Sequence, residues 1–336
     1  MERRNLDLEL FRDESAINRG EPGLVHSYMK CLATAMQAVG DGNGPAWWMG
    51  ASGFAFRIWT CDTLCPSAMS MFDFNTILPQ AIEQLGYKPV YISRLWDQQK
   101  QEARKRMEAH KHIVAAVDKG VPSIVWDLHE AEWGLITGYD DGRDAYFTIT
   151  HDGHTSTMPY ENLGQNGIDI LAVSIPGDAN DLSREEAIDK SIRIAVNHAT
   201  QNEWADRPDY QNGFAGYDQW ALVYERWGLL IDGGQIENIG VPIHEYAKYY
   251  AAHYYSARSY AREYLNLISN HDPDLANAAT KYAQVADQLR YLWTEAPDSP
   301  TPNRQLLDDF VARLHNAKRL EAEAVEALKM YLGVKV

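Results

Sequence analysis

The sequence predicts an α+β protein: a domain of helix plus antiparallel sheet over residues 1–180, and an all-α domain over residues 181–336. Three observations carry this. Strand-like runs follow one another from Ser123 to Ile175, with the hairpin signal Asp141-Gly142 between two of them. Helical patterns precede that cluster. Beyond Ser183 the helical period runs almost to the end, broken by Pro208, Gly233-Gly234, Asp272-Pro273 and Pro297 to Pro302.

The first helix is expected over Leu24 to Val39, where Leu32, Met36 and Val39 share a side, and Asp41-Gly42-Asn43-Gly44-Pro45 ends it. Gly50-Ala51-Ser52-Gly53 reads as a turn and Phe54 to Thr60 as a strand. Asp73 to Leu85 reads as a helix closed by Gly86, Pro89 to Ser93 as a strand, and Trp96 to Lys119 as a long charged helix stopped by Gly120. Strands are expected at Ser123–Asp127, Trp133–Tyr139, Ala145–Thr150 and Ile168–Ile175. Ser183 with Glu186 forms a capping box, and helices follow at 183–202, 214–230, 242–269, 273–295 and 302–332.

Composition narrows the function classes. Of 336 residues 45% are apolar and 23% charged, the balance of a folded chain. Acidic residues outnumber basic ones 47 to 31, a formal charge of -16, which argues against nucleic acid or an anionic membrane as partner. No apolar run approaches membrane-spanning length, and Met1 to Ser15 lacks the apolar core of a signal peptide. Three cysteines cannot all pair within one chain, so a reducing, cytoplasmic location is expected. No Walker-type or Gly-x-Gly-x-x-Gly loop is present, which disfavours phosphate chemistry.

Cys31 is the sharpest candidate for chemistry. A thiol at a helix start feels the positive end of the dipole and becomes a nucleophile when a base stands near; otherwise it is a small buried hydrophobe. His129, Glu132, His151, Asp152 and His154 cluster within 26 residues, but their spacing matches no metal template, so no metal and no cofactor are expected. Cys61 and Cys65, spaced C-x3-C, lack a second ligand pair. Seven tyrosines between Tyr246 and Tyr264 form a helical stripe, suited first to a core and secondly to a ligand wall or homodimer interface.

A helical Cys31, the strand run Gly120-Val121-Pro122-Ser123-Ile124-Val125-Trp126 and the strand ending Gly138-Tyr139-Asp140 together resemble the papain-like cysteine-peptidase superfamily. Within it the pattern is similar to the double-glycine leader peptidases and the N-terminal domain of the butirosin-biosynthesis acyltransferase family. The resemblance covers roughly residues 24–176; Gly213-Phe214-Ala215-Gly216-Tyr217-Asp218-Gln219-Trp220 also looks like the acyltransferase relatives. It implies a papain-like fold, Cys31 as nucleophile, Asp152 as the group that orients the base, and Ser52 and Arg57 as pocket residues after the nucleophile helix.

The histidine of that pattern is replaced by Glu132. A carboxyl group titrates near 4.3, about four units below a free thiol, and its charge disfavours a neighbouring thiolate. Three readings follow. His129 or His26 reaches the site instead. Or Glu132 activates water or an amine while Cys31 is structural. Or cysteine-peptidase chemistry is lost and the site binds a ligand. The last two are preferred. The expected function is binding of a small molecule or peptide in a cleft between the domains, with amide or acyl-transfer chemistry in reach. The alternative is an active cysteine peptidase or acyltransferase using Cys31, with Glu132 and Asp152 assisting and Ser52, Arg57 and His129 holding substrate.

Overall fold

The structure, a computed structural model, describes residues 2–202, 209–239, 242–296 and 303–333. The expected breaks at Pro208 and Pro297 to Pro302 lie outside the described residues. In chain order the elements are β1 (Arg3–Asn5), α1 (Glu14–Asn18), α2 (Ser27–Ala38), α3 (Pro45–Ala51), β2 (Trp59–Cys61), α4 (Phe74–Gln84), β3 (Tyr87–Arg94), α5 (Glu102–Asp118), β4 (Ser123–Trp126), β5 (Trp133–Asp140), β6 (Ala145–Ile149), β7 (Thr155–Pro159), β8 (Leu171–Ala179), α6 (Arg184–Thr200), β9 (Tyr210–Asn212), α7 (Gly213–Asp232), α8 (Ile243–Ile268), α9 (Pro273–Thr294) and α10 (Arg304–Tyr331). The fold is α+β, with an antiparallel sheet and many helices.

The chain forms two compact units, each assembled from separated segments. Met1–Glu14, Leu24–Trp48 and Asp73–Ala187 make the first; Ser15–Gly23, Met49–Phe72 and Ile188–Val336 make the second.

The first unit is a seven-stranded sheet in the order β3-β8-β4-β5-β6-β7, with β1 added beside β5. Every strand pair in it is antiparallel. Strand β4 has four residues and pairs only with the first half of β5; β1 pairs with Gly138, Tyr139 and Asp140, the half left over. That accounts for a strand in a charged, exposed tripeptide that carries no strand signal of its own. Gly138 permits the approach: a Cβ there would meet the Arg4 carbonyl oxygen at 2.3 Å.

Strands β4 and β5 are buried along their whole length because helices cover both faces. On one face Val125, Ile136 and Val173 pack with Ile113 and Val117 of α5. On the other, Tyr28 of α2 stands edge-on to Trp133, and Phe74 of α4 meets Trp126 and Trp133. Asp73 caps α4 through the Asn75 N–H, and Gly86 follows it at φ +95°, as its sequence position predicts. The Ser183–Glu186 capping box forms reciprocally at the start of α6.

The second unit packs α7, α8, α9 and α10 with the small ribbon β2–β9. The tyrosine stripe of α8 is spent on its core: Tyr250 donates to the Cys65 carbonyl, Tyr254 bonds both backbone groups of Trp59, and Tyr264 bonds Ser191. Arg258 and Glu321 form a buried ion pair, 0% and 3% exposed, joined by two bonds of 2.9 Å. Arg258 also donates to the carbonyls of Ala55 and Arg57, while Glu321 accepts from Tyr217 at 2.5 Å.

Several local expectations change. Pro45–Ala51 is helical, and the strand expected over Phe54 to Thr60 becomes a 3-10 turn at Phe54–Phe56 followed by β2. The long helix from Trp96 begins as a 3-10 segment, Trp96–Gln101, kinked at non-helical Gln98, and becomes α-helical in α5. Strand β7 extends a polar, exposed edge with no alternation to announce it. Among the described residues no helix is long and apolar enough to cross a membrane.

Candidate functional site

Helix α2 begins at Ser27, with His26 as its cap: the His26 Nδ1 accepts the N–H of Tyr28 at 3.2 Å. Ser27 is therefore on the first turn, and Cys31 lies one turn further in. The helix dipole acts mainly within that first turn. Cys31 is fully buried, and burial pushes its thiol well up; Lys30 pulls the other way and Glu132 adds to the rise. The first effect is the largest, so at neutral pH the group is a thiol without nucleophilic thiolate.

The side chain that meets Glu132 is Ser27, whose Oγ donates to Oε2 at 2.5 Å. Glu132 stands at the head of β5 at the end of a tightly tied loop. Asp127, at φ +56°, accepts the N–H groups of Gly167 at 2.8 Å and Ile168 at 2.5 Å. Asn166 donates to the Leu128 carbonyl at 2.5 Å, and the Asp127 N–H donates to the Glu132 carbonyl. Burial holds the Glu132 carboxyl above its ordinary value, against the opposing pulls of the Ser27 hydroxyl, His151 and Lys30.

Lys30 is three residues after Ser27 and so on the same side of α2. Its ammonium donates to the His151 carbonyl at 3.4 Å. Burial lowers its pKa, although Cys31, Glu132 and Asp152 each favour the charged form. The His151 ring lies 3.1 Å from Glu130 Oε1. Ser27, Lys30 and Glu132, with His151 at the margin, thus form one polar cluster where α2 meets the head of β5. Next in sequence to Glu132, Trp133 forms a cross-strand pair with Trp126 in ring contact, and among the described residues the indole N–H of each is buried with no hydrogen-bond partner.

The remaining expected residues fall elsewhere. Asp152 is exposed; it accepts from the Thr150 hydroxyl and pairs with His154 at 3.4 Å, bonds that keep it within its own turn and hold its carboxyl below the usual range. It orients no base. His129 is exposed and bonds the Thr148 hydroxyl at 3.0 Å. Ser52 and Arg57 belong to the second unit, and both are buried. Ser52 bonds the Met49 carbonyl at the end of α3, and the Arg57 guanidinium lies over the Trp59 ring. Cys61 and Cys65 are free thiols; the Cys65 N–H donates to Cys61 Sγ at 3.2 Å. Among the described residues no three His, Cys, Asp or Glu side chains converge as a metal-binding group.

Sequence reasoning passed over Ser27 and Lys30. The signal was His26-Ser27 ahead of the apolar positions: with His26 as the cap, the first turn carries Ser27 and Lys30, and Cys31 follows it. Two concavities of the first unit, of about 600 and 620 Å³, lie beside His110, Tyr146 and Tyr160 and beside Thr137, Phe147 and Thr157; neither is lined by Ser27 or Glu132. Within the cluster Ser27 is 3% exposed, and Lys30 and Glu132 are half-buried.

No protein-family model matches the chain, and no curated protein matches it.

Proposed function

We propose that this chain is a papain-like-fold protein that binds a small molecule or peptide through an amide or related acyl group at Ser27, Lys30 and Glu132, without cysteine-peptidase chemistry at Cys31. The Ser27–Glu132 contact of 2.5 Å beside a closed-off Cys31 carries this reading. Helix α2 laid against an antiparallel sheet, with Glu132 at the head of β5, supports the papain-like assignment.

Complementarity selects the ligand class. Glu132 is an acceptor, and Lys30 and the indoles of Trp126 and Trp133, unpaired among the described residues, are donors. An amide offers the matching N–H and carbonyl. A buried donor left unpaired costs about 1–3 kcal/mol, which a ligand carbonyl recovers. Cys31 as nucleophile would need a thiolate, which burial opposes.

The test is a titration of the 15N-labelled chain with N-acetylglycinamide, following the indole resonances of Trp126 and Trp133. The expected result is saturable shifts at both indoles, lost in Glu132→Ala and kept after iodoacetamide treatment. Unmoved indoles at saturating amide would overturn the reading.

A further inference from the structure

We propose that Ser27 is a nucleophile that accepts acyl groups from esters or thioesters, with Glu132 as its general base. The inference rests on the ligand site above and adds a covalent step to it.

The geometry is the first argument. A general base must lie within hydrogen-bond reach, up to about 3.2 Å between heavy atoms, of the hydroxyl it deprotonates, and Ser27 Oγ stands 2.5 Å from Glu132 Oε2. The pair is held from both ends: His26 caps the helix that carries Ser27, and the Asp127 and Asn166 bonds fix the loop that carries Glu132. A nucleophile and base on rigid supports need little reorganisation before reaction.

Electrostatics is the second. A carboxylate in water is a weak base for a hydroxyl, but burial raises the basicity of Glu132. Lys30, on the Ser27 side of α2, supplies positive charge for an oxyanion formed at Ser27. The indole N–H groups of Trp126 and of Trp133, whose ring stands edge-on to Tyr28 next in sequence to Ser27, are buried donors with no hydrogen-bond partner among the described residues. A serine whose only task was to anchor the helix would need neither.

In the reaction, the Ser27 Oγ–H proton passes to Glu132 as Oγ bonds the acyl carbon. The bond from that carbon to the ester oxygen or thioester sulfur breaks, and the departing alcohol or thiol takes the proton from Glu132. Water or an amine then attacks the acyl-Ser27 ester, Glu132 takes its proton, and that proton returns to Ser27 Oγ as the ester bond breaks. The sum is acyl transfer from one heteroatom to another with no change of oxidation state. Esters and thioesters are favoured over amides because their leaving groups depart with less help.

The experiment treats the full-length chain with p-nitrophenyl acetate and with a fluorophosphonate, and reads adducts by intact mass and peptide mapping. One acetyl or phosphonyl group is expected on Ser27. Ser27→Ala should abolish it, and Glu132→Gln should slow it by about 100-fold. The wild-type rate should rise with pH as Glu132 ionises, and the Glu132→Gln rate should be flat over the same range. Ser27→Cys guards against a folding defect in the alanine variant: its new thiol should be alkylated by iodoacetamide while Cys31 is not. An unlabelled wild type, equal labelling in Ser27→Ala, or a wild-type rate in Glu132→Gln would each overturn the proposal. If labelling is absent while N-acetylglycinamide still shifts the indoles, the nucleophile fails and the binding reading stands. If both signals are absent, both fail.

Discussion

Replacing Glu321 by Gln removes one charge from the centre of the helical unit and changes the volume very little. Arg258 then remains buried, with its guanidinium facing a neutral amide. The amide has one acceptor oxygen where the carboxylate used two: Oε2 for the Arg258 Nε and the Tyr217 hydroxyl, Oε1 for Arg258 Nη2. Removing one partner of a buried pair costs about 3–5 kcal/mol. At roughly 2–4 °C per kcal/mol for a unit of this size, thermal unfolding followed by circular dichroism should fall by about 6–20 °C. The double variant Arg258→Met, Glu321→Leu removes both charges, yet it orphans the carbonyls of Ala55 and Arg57 and the Tyr217 hydroxyl. It should regain only part of the loss. A single variant less than about 1 kcal/mol below wild type, or a double variant more stable than wild type, would refute the view of this pair as a fully satisfied internal tie.

Iodoacetamide at pH 8 should modify the half-buried Cys65 and leave Cys31 untouched until the chain unfolds, as read by peptide mass; rapid native labelling of Cys31 would contradict its raised thiol pKa. Glu132 is held above its ordinary 4.5, so its contribution is present below that value and is lost as pH rises through the folded-state value. Relative to Glu132→Gln, wild type should therefore lose stability as pH is raised from 4 to 8 in parallel denaturation curves; the opposite slope would reverse the sign of the shift. Gly138→Ala should drive β1 off β5 at a cost of about 1–3 kcal/mol, seen as faster amide exchange confined to residues 3–5 and 138–140. Exchange unchanged from wild type would mean the strands yield without parting.

The elements that sequence made legible are those with a local cause. Asp73 and Gly86 bracket α4, Ser183 and Glu186 start α6, and Asp141-Gly142 turns β5 into β6. Strands β1 and β7 were illegible because their reason is a neighbour: β1 fills the half of β5 that β4 leaves, and β7 lines β6 with an exposed polar edge. The site was half legible. Glu132 stood out as the residue in a histidine's place, but its partner is a tertiary contact with the first residue of α2, Ser27, which no local pattern announces. Asp152 is bonded within its own turn, to Thr150 and His154, and reaches the cluster only through its charge on Lys30.

The division of each unit among separated segments has a bearing on synthesis at the ribosome. Residues 15–23 and 49–72 emerge early, but their packing partners in the second unit begin only at Ile188. The Ala55 and Arg57 carbonyls wait for Arg258, and Arg258 waits for Glu321, 63 residues later. The first unit, complete by Ala187, can settle while the nascent chain is still growing, with the early segments kept out as unpaired loops. The second can close only after Glu321 has been made, so the two should consolidate in sequence, the sheet before the bundle.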